Sequence, residues 1–247
     1  MNMIRTLQAA AICGVLSMST AAFADNIEIT VFQDGTQVYQ TSTTGTTLNL
    51  STTQLSTLNG NLAAGANQFT VNNFGVTATD LPIIGSLVGS GTVATSSTNF
   101  SSGEYLTIEI TYDAFTTPNT VNTMTSSSSY TDIDSAGSTL SFTSTVGANG
   151  TLNAPGTSSP LSTLTIPAGI SEAGSQTAPN TIFSPVSPGY TLTETFVWNP
   201  DSTQDQLNPT GTTTAYFTAP EGGIGLMYLL LAAMTFGGGL ALKRREA

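Results

Sequence analysis

The chain has 247 residues, fifteen acidic and four basic side chains, no histidine, one cysteine and a formal net charge of −11. Residues 25–220 contain thirteen carboxylates and no lysine, arginine, histidine or cysteine, which excludes Ser-His-Asp and thiol hydrolysis, Schiff-base chemistry and the usual zinc ligands. A surface without cations cannot neutralise phosphates, so we expect no nucleic-acid partner and no cofactor, while cations and neutral sugars stay open as ligands.

The N-terminus has the three parts of an export signal. Arg5 precedes an apolar segment, residues 9–16, and residues 22–24 read Ala-Phe-Ala, an A-x-A cleavage pattern. The apolar segment is about half of the roughly 20 residues that span a bilayer, so we expect residues 1–24 to be a cleaved signal peptide. Cys13 leaves with it, and the exported domain must therefore fold without a disulfide.

The start of the exported stretch predicts a β-hairpin and then a short helix. Apolar and polar residues alternate over 27–31, residues 34–35 supply an Asp-Gly turn, and the extended pattern resumes over 37–41. Residues 51–54, Ser-Thr-Thr-Gln, have capping-box spacing ahead of a leucine pattern. We expect one or two helical turns, ending where Gly60 interrupts the pattern.

Two further strands are predicted from composition. Residues 69–77 and 91–95 are rich in the residue types that strands favour. Pro82, Gly85 and Gly89 interrupt the apolar segment between them, which predicts a break there.

Residues 104–113 form the clearest half-buried strand in the sequence, because apolar and polar side chains alternate without a break. The predicted inner face consists of Leu106, Ile108, Ile110 and Tyr112, and the outer face of Thr107, Glu109, Thr111 and Asp113.

The following part of the chain predicts another strand and then long loops. Residues 139–146 alternate as a strand does, and residues 149–150, Asn-Gly, supply a tight turn. Residues 153–188 are rich in Pro, Gly and Ser and predict loops, apart from a strand at 161–166.

Many short strands without helical periods favour an all-β fold, an antiparallel β-sandwich of jelly-roll or immunoglobulin-like outline. We expect it to occupy residues 25–219 as one domain. Two hydroxyl-rich patches, 126–129 and 212–214, are either exposed or part of strand faces, and composition leaves both open.

The segment 187–198 places a carboxylate among aromatic side chains. In a regular strand Glu194 shares one face with Tyr190, Phe196 and Trp198. Three interpretations stay open. Glu194 marks a strand edge or bulge beside core aromatics, the exposed rings stack on sugars, or a Glu194 with a burial-raised pKa serves a carboxylate-only glycosidase.

Asp132 and Asp134 are candidate calcium ligands at the first and third positions of a calcium-loop pattern. The EF-hand interpretation fails, because an alanine stands at the fifth position and Thr143 replaces the bidentate acid at the twelfth. An irregular site that uses this pair, or Asp201 and Asp205, stays open beside the default of solvated acidic turns, and we predict no dedicated metal site.

The C-terminus predicts a membrane anchor. Residues 224–242 are uncharged, and nineteen residues at about 1.5 Å each give a helix of roughly 29 Å, close to the hydrocarbon thickness. Lys243, Arg244 and Arg245 follow at once, which predicts that this end stays in the cytoplasm and that the large domain lies outside.

Pro220, Glu221, Gly222 and Gly223 stand directly before this apolar run. Together with the run and the basic end, they make residues 220–247 resemble the tripartite tail of PEP-CTERM proteins, the exosortase sorting substrates of Gram-negative bacteria. The resemblance implies recognition by an exosortase-like enzyme in the membrane, cleavage near the motif and delivery to the surface or extracellular matrix. Gly222 stands where the family usually has a second proline.

These patterns favour an exported, single-pass, non-enzymatic surface protein with a structural or adhesive role in the envelope or extracellular matrix. The alternative is a carbohydrate-binding module displayed at the cell surface, with extracellular polysaccharide as its partner and Tyr190, Phe196 or Trp198 as the stacking residues. A third hypothesis is a glycosidase built around Glu194.

Overall fold

The computed structural model describes most of the predicted exported domain. The described residues are 26–65, 68–81, 84–95, 103–115, 122–133, 138–148, 157–158, 162–165, 173–183, 190–201 and 205–217. The predicted signal peptide, the sorting motif at 220–223, the membrane helix at 224–242 and the basic end at 243–245 lie outside these ranges. Among the described residues, no helix has the length and apolar content that crossing a bilayer requires.

The described residues form fourteen strands and one helix. In chain order they are β1 (Asn26–Gln33), β2 (Thr36–Thr44), β3 (Thr47–Asn49), α1 (Thr52–Gly65), β4 (Phe69–Leu81), β5 (Ile84–Thr95), β6 (Leu106–Phe115), β7 (Asn122–Ile133), β8 (Thr139–Ala148), β9 (Thr157–Ser158), β10 (Ser162–Thr165), β11 (Ala173–Thr177), β12 (Thr181–Phe183), β13 (Tyr190–Asn199) and β14 (Gln206–Phe217).

The strands form two antiparallel sheets that enclose one hydrophobic cluster. The first sheet has the order β10-β8-β13-β6-β1-β2, with β9 also paired to β8. The second has the order β11-β7-β14-β5-β4-β3, with β12 also paired to β7. Apolar side chains from the inner faces of both sheets form the core between them. The predicted antiparallel β-sandwich is therefore confirmed.

The predicted hairpin is confirmed as β1 and β2, joined at Asp34 and Gly35. Their φ angles of 51° and 77° are both positive, as a type I′ turn requires. The Asp34 carboxylate also accepts a hydrogen bond from the Tyr105 main-chain NH at 2.9 Å, which ties the turn to the start of β6.

The predicted capping box is confirmed, but the helix is longer than expected. The Ser51 NH donates to Gln54 Oε1 at 2.9 Å, and the Gln54 NH lies 3.4 Å from Ser51 Oγ. The helix α1 continues past Gly60, so the prediction that Gly60 ends it is wrong. Leu58 and Leu62 are fully buried, and this burial offsets the roughly 1 kcal/mol that a helical glycine costs.

The predicted break between residues 77 and 91 is also wrong for Gly85 and Gly89, because both lie inside β5. They are inward-facing, and core side chains occupy the space beside them. A Cβ at Gly85 would lie 2.5 Å from Tyr190 Oη and 2.8 Å from Phe115 Cδ1, and one at Gly89 would overlap Ile110. The glycines therefore make room for the larger side chains of the opposite sheet.

The strand predicted at 104–113 is confirmed as β6, and its four apolar residues are buried. The strand predicted at 139–146 is confirmed as β8, and the turn predicted at 149–150 lies outside the described residues. Within the predicted loop stretch, β10 matches the strand expected at 161–166, but β9, β11 and β12 were not predicted. They are only two, five and three residues long and lie at the margins of the sheets, and an alternating pattern cannot be recognised over so few residues.

The two hydroxyl-rich patches are strand faces. Ser126 and Ser128 lie on the inner face of β7 at 2% exposure each, and Thr213 lies on the inner face of β14 at 0%. The core of the sandwich therefore contains hydroxyl groups near its centre.

Candidate functional site

Glu194 lies at the centre of the sandwich. Its strand β13 is an inner strand of the first sheet, and Glu194 pairs with Ser144 of β8 on one side and Ile110 of β6 on the other. The irregularity in β13 falls between Tyr190 and Leu192, so the interpretation of Glu194 as a strand edge or bulge is wrong. Its side chain points between the sheets and is fully buried.

The Glu194 carboxyl group is surrounded by neutral groups. Ser144 Oγ and Thr213 Oγ1 lie 2.5 Å apart beside it. Thr213 and the Gly89 main chain are near enough to lower the pKa of Glu194 in part, but neither carboxyl oxygen makes a hydrogen bond of good geometry. Burial dominates and raises the pKa to about 8. The carboxyl is therefore mostly protonated at neutral pH.

The full burial of Glu194 differs from the arrangement of a glycosidase site. A glycosidase needs two carboxyl groups about 5 to 10 Å apart beside a cleft that admits a sugar. Glu194 is fully buried, and the other buried carboxyls on the first sheet, Glu28 and Asp113, lie on strand positions that face away from the core. Asp205 is also fully buried, but it precedes β14 by one residue and lies eight positions before Thr213, roughly 26 Å along the strand from the neighbour of Glu194.

The predicted stacking residues are part of the core. Tyr190, Phe196 and Trp198 are 1%, 2% and 2% exposed. Each contacts another ring. The distances between ring centroids are 5.2 Å for Phe115 and Tyr190, 5.0 Å for Phe142 and Phe196, and 5.9 Å for Phe69 and Trp198. Stacking on a sugar requires an accessible ring face, and these buried rings have no accessible face. The interpretation of these aromatics as core residues is therefore confirmed, and the alternative that their rings form a stacking platform is wrong.

Burial has a further electrostatic effect at Tyr190. Its removal from solvent raises the pKa of the phenol, and the negative charge of Asp80 raises it further. The phenol therefore stays neutral over the physiological range and acts in the core as a polar end group.

Two carboxylates, Glu28 and Glu109, lie on neighbouring strands of the outer face of the first sheet. No sequence pattern groups these two residues. Glu28 accepts hydrogen bonds from Gln40 Nε2 at 2.7 Å and Thr30 Oγ1 at 3.3 Å. Burial, and then the charge of Glu28, raise the pKa of Glu109 on the neighbouring strand. The alternation over 27–31 placed Glu28 on this face, but only strand pairing brings it beside β6.

The calcium candidates lie partly outside the described part of the chain, which includes the main chain of Asp132 but not its side chain. Asp132 is paired with Leu207 through the main chain, and Asp134 lies outside the described residues. Asp201 is exposed, whereas Asp205 is fully buried. Within the described ranges, no group of three Asp, Glu, His or Cys side chains is placed to hold a metal ion.

The outer face of the second sheet is uncharged throughout its described positions. We call its outward residues on β4, β5, β14, β7 and β11 the hydroxyl face, because threonine, serine and asparagine dominate it. One cross-strand row is hydrogen-bonded directly: Asn73 Nδ2 donates to Thr92 Oγ1 at 3.2 Å, and Thr92 Oγ1 donates to Asn208 Oδ1 at 2.7 Å. The hydroxyl face can therefore offer ordered hydrogen-bonding groups without any ionic attraction.

No protein-family model matches the chain, and no curated protein matches it. Among solved structures, the chain is similar to the carbohydrate-binding module TmCBM27, described for mannan recognition, at a TM-score of 0.31 and 9% identity over 70% of this chain and 97% of that one. It is also similar to a family 11 carbohydrate-binding module from Clostridium thermocellum, at a TM-score of 0.27 and 8% identity over 58% of this chain and 89% of that one.

A third similarity is to tailspike protein 4 of bacteriophage CBA120, at a TM-score of 0.28 and 9% identity over 56% of this chain. This match covers 18% of the tailspike domain. The chain is also similar to the MgGH51 a-L-arabinofuranosidase, and that match covers 24% of the enzyme.

Proposed function

We propose that the protein is an exported, non-enzymatic β-sandwich that a C-terminal helix anchors in the membrane. An exosortase-like enzyme sorts it through the tail, and it serves a structural or adhesive role at the cell surface or in the extracellular matrix. Support for the jelly-roll outline of this domain comes from the crossings between sheets, which occur at β2–β3, β5–β6, β6–β7, β7–β8, β10–β11, β12–β13 and β13–β14.

The observation that supports this proposal most directly is that the last strand of the sandwich ends just before the sorting motif. β14 is an inner strand of the second sheet, paired with both β5 and β7, so the sheet needs it. Its last residue is Phe217, and Pro220 of the motif follows three positions later. Cleavage near the motif would therefore leave every described strand intact and release a complete domain.

The surface of the described domain supports a passive role. Tyr190, Phe196 and Trp198, the candidates for sugar stacking, are core residues, and Glu194 is fully buried between the sheets. The hydroxyl face is broad and neutral, and such a surface suits extended contact with a matrix better than capture of a charged small molecule.

Intact mass spectrometry of the protein from its native host, with membranes and culture fluid measured separately, tests the proposal. We expect a species that begins at Asp25 and ends near Pro220. Glu221→Ala should abolish that species, whereas the matched change Asp201→Asn, at an exposed acid outside the motif, should leave it unchanged. If only uncleaved protein is found in membranes, the sorting step is wrong and an ordinary anchored domain remains.

The hydroxyl face favours a second candidate function, the binding of a neutral polysaccharide. Sugars are recognised by donors and acceptors held at fixed spacing, and the row Asn73, Thr92 and Asn208 provides these without charge. Calorimetric titration with neutral oligosaccharides should show heat that Thr92→Val reduces, with affinity about tenfold lower. Thr44→Val, an exposed change on the first sheet, is the control.

Absence of heat across mannan, galactan and mixed-linkage glucan fragments would remove the binding function. Trp198 is not a suitable reporter for this titration, because its ring is 2% exposed in the core.

A further inference from the structure

The exposed large hydrophobic side chains of the described residues lie in one line across the second sheet. Leu81, Ile84 and Ile182 are 52%, 36% and 71% exposed. Leu81 pairs with Ile84, Ile84 pairs with Tyr216, Tyr216 pairs with Thr123, and Thr123 pairs with Ile182. We call Leu81, Ile84, Tyr216 and Ile182 the apolar row.

All members of the apolar row point to the same side. Directly opposed residues of paired strands project from the same face of a sheet, and the alternation of burial along β5 and β14 identifies this as the outer face. At about 4.8 Å between strands, the row is roughly 19 Å long. Asn180 Nδ2 lies 3.4 Å from Tyr216 Oη, so the Tyr216 side chain reaches toward the segment that leads into β12.

The row lies at the end of the sheet from which the tail leaves. Tyr216 is the second-last residue of β14, and the apolar run begins at Ile224. Seven residue steps separate Phe217 from Ile224, and an extended chain covers at most about 25 Å in that number of steps. An anchored tail therefore holds the apolar row within reach of the membrane surface.

We propose that the apolar row rests in the interface of the bilayer beside the anchoring helix and gives the domain a second membrane contact until the tail is cut. This inference rests on the proposed anchoring by residues 224–242. The domain has no basic side chain to attract lipid headgroups, so the contact comes from apolar burial and suits a zwitterionic surface.

A single-cysteine label on the full chain tests the contact. With Cys13→Ala the chain has no thiol, and Ile182→Cys then accepts a nitrobenzoxadiazole dye on the row. The matched control is Thr131→Cys, an exposed outward position at the far end of the same face. Both proteins are reconstituted into phosphatidylcholine vesicles, with and without doxyl-labelled lipid.

We expect a blue-shifted emission at Ile182→Cys that doxyl lipid quenches at least twofold more than at Thr131→Cys. Adding Leu81→Ser and Ile84→Ser should return the Ile182→Cys signal to the control level. The intrinsic emission of Trp198, which packs against Phe69 at the opposite end of the sandwich, should stay unchanged and shows that the variants are folded.

Three results overturn the contact. If the chain floats with the vesicles but the dye at Ile182→Cys stays water-exposed, the row does not touch lipid, although the anchoring stands. A blue shift without doxyl quenching means that protein, such as a second copy, covers the row. Failure to float overturns the anchoring itself and the contact with it.

Discussion

Glu194 of β13 faces Gly89 of β5 across the sandwich, and its Oε2 is 3.1 Å from the position that a Cβ on residue 89 would occupy. Ile110 Cδ1 fills the position of that missing Cβ, and the Glu194 carboxyl packs tightly beside it. No cation balances it, since the described domain contains no lysine, arginine or histidine. A carboxyl in this position is stable in the core only while it carries its proton.

Glu194 should make the stability of the domain fall as pH rises. The folded state holds the proton up to pH about 8, whereas the ordinary pKa is 4.5, so the unfolded chain binds fewer protons between these values. The free energy of unfolding should decrease across this window, by at most about 5 kcal/mol. Denaturant titrations of wild type and Glu194→Gln between pH 4 and 9 measure the effect.

The amide of Glu194→Gln resembles the protonated acid, so the variant should lose most of this pH dependence and exceed the wild type in stability at pH 9. Glu109→Gln serves as the control at a half-buried carboxyl whose pKa is raised in the same direction, and it should change the profile less. Parallel profiles for wild type and Glu194→Gln would show that Glu194 is not protonated in the folded state.

Two glycine substitutions should have opposite effects on stability. A methyl group at Gly211 would overlap the rings of Phe142 and Phe196, so Gly211→Ala should lower the free energy of unfolding by about 1–3 kcal/mol. Nothing lies within 4 Å of a Cβ at Gly60 in α1, and Gly60→Ala should raise it by about 0.5–1 kcal/mol. Thermal unfolding of both variants tests the pair, and destabilisation by Gly60→Ala would contradict the continuous helix.

Removal of the helix cap should loosen α1. Ser51 Oγ donates to Gln54 Oε1 at 2.8 Å and faces the Gln54 NH, so Ser51→Ala should lower the free energy of unfolding by about 0.5–2 kcal/mol. Amide hydrogen exchange should quicken first in the first turn of the helix. Thr52→Ala, an exposed neighbour, is the control, and equal effects of the two changes would show that the cap is not the cause.

The negative charge of Glu28 should have a measurable effect on the pKa of Glu109. Burial is the first cause of the raised pKa of Glu109, and the Glu28 carboxylate is the second. Glu28→Gln should therefore lower the pKa of Glu109 without returning it to its ordinary value. A carbon-13 titration of the Glu109 carboxyl measures this change. An unaltered pKa would mean that burial alone accounts for the shift.

Local patterns predicted the local structure well. The β1–β2 hairpin follows from alternation and an Asp-Gly turn, the start of α1 from a capping box, and β6 from ten residues of unbroken alternation. The errors came where tertiary contacts reverse a local preference. Gly60, Gly85 and Gly89 act as breaks in isolation, but the packed core holds the helix and strand through them.

The candidate site shows the same division. Alternation placed Glu194 on one face with Tyr190, Phe196 and Trp198, and the structure shows that face to be buried. Such a face becomes part of the core if a second sheet covers it and can bind a ligand if none does. The residues of the segment 187–198 do not indicate whether a second sheet covers them. The carboxylates on the first sheet and the apolar row were missed because their members come from separate strands.

The sequence by itself determined the all-β class and the absence of cations between residues 25 and 220, and it predicted the signal peptide and the sorting tail. These features depend on composition, spacing and short-range order. Only the tertiary structure decided which polar residues are interior. Ser144 and Thr213 are 69 positions apart, yet their hydroxyls meet beside Glu194 because strand order brings β8, β13 and β14 together. That order is set by the free energy of burying both inner faces at once, a sum over the whole chain rather than over any segment of it.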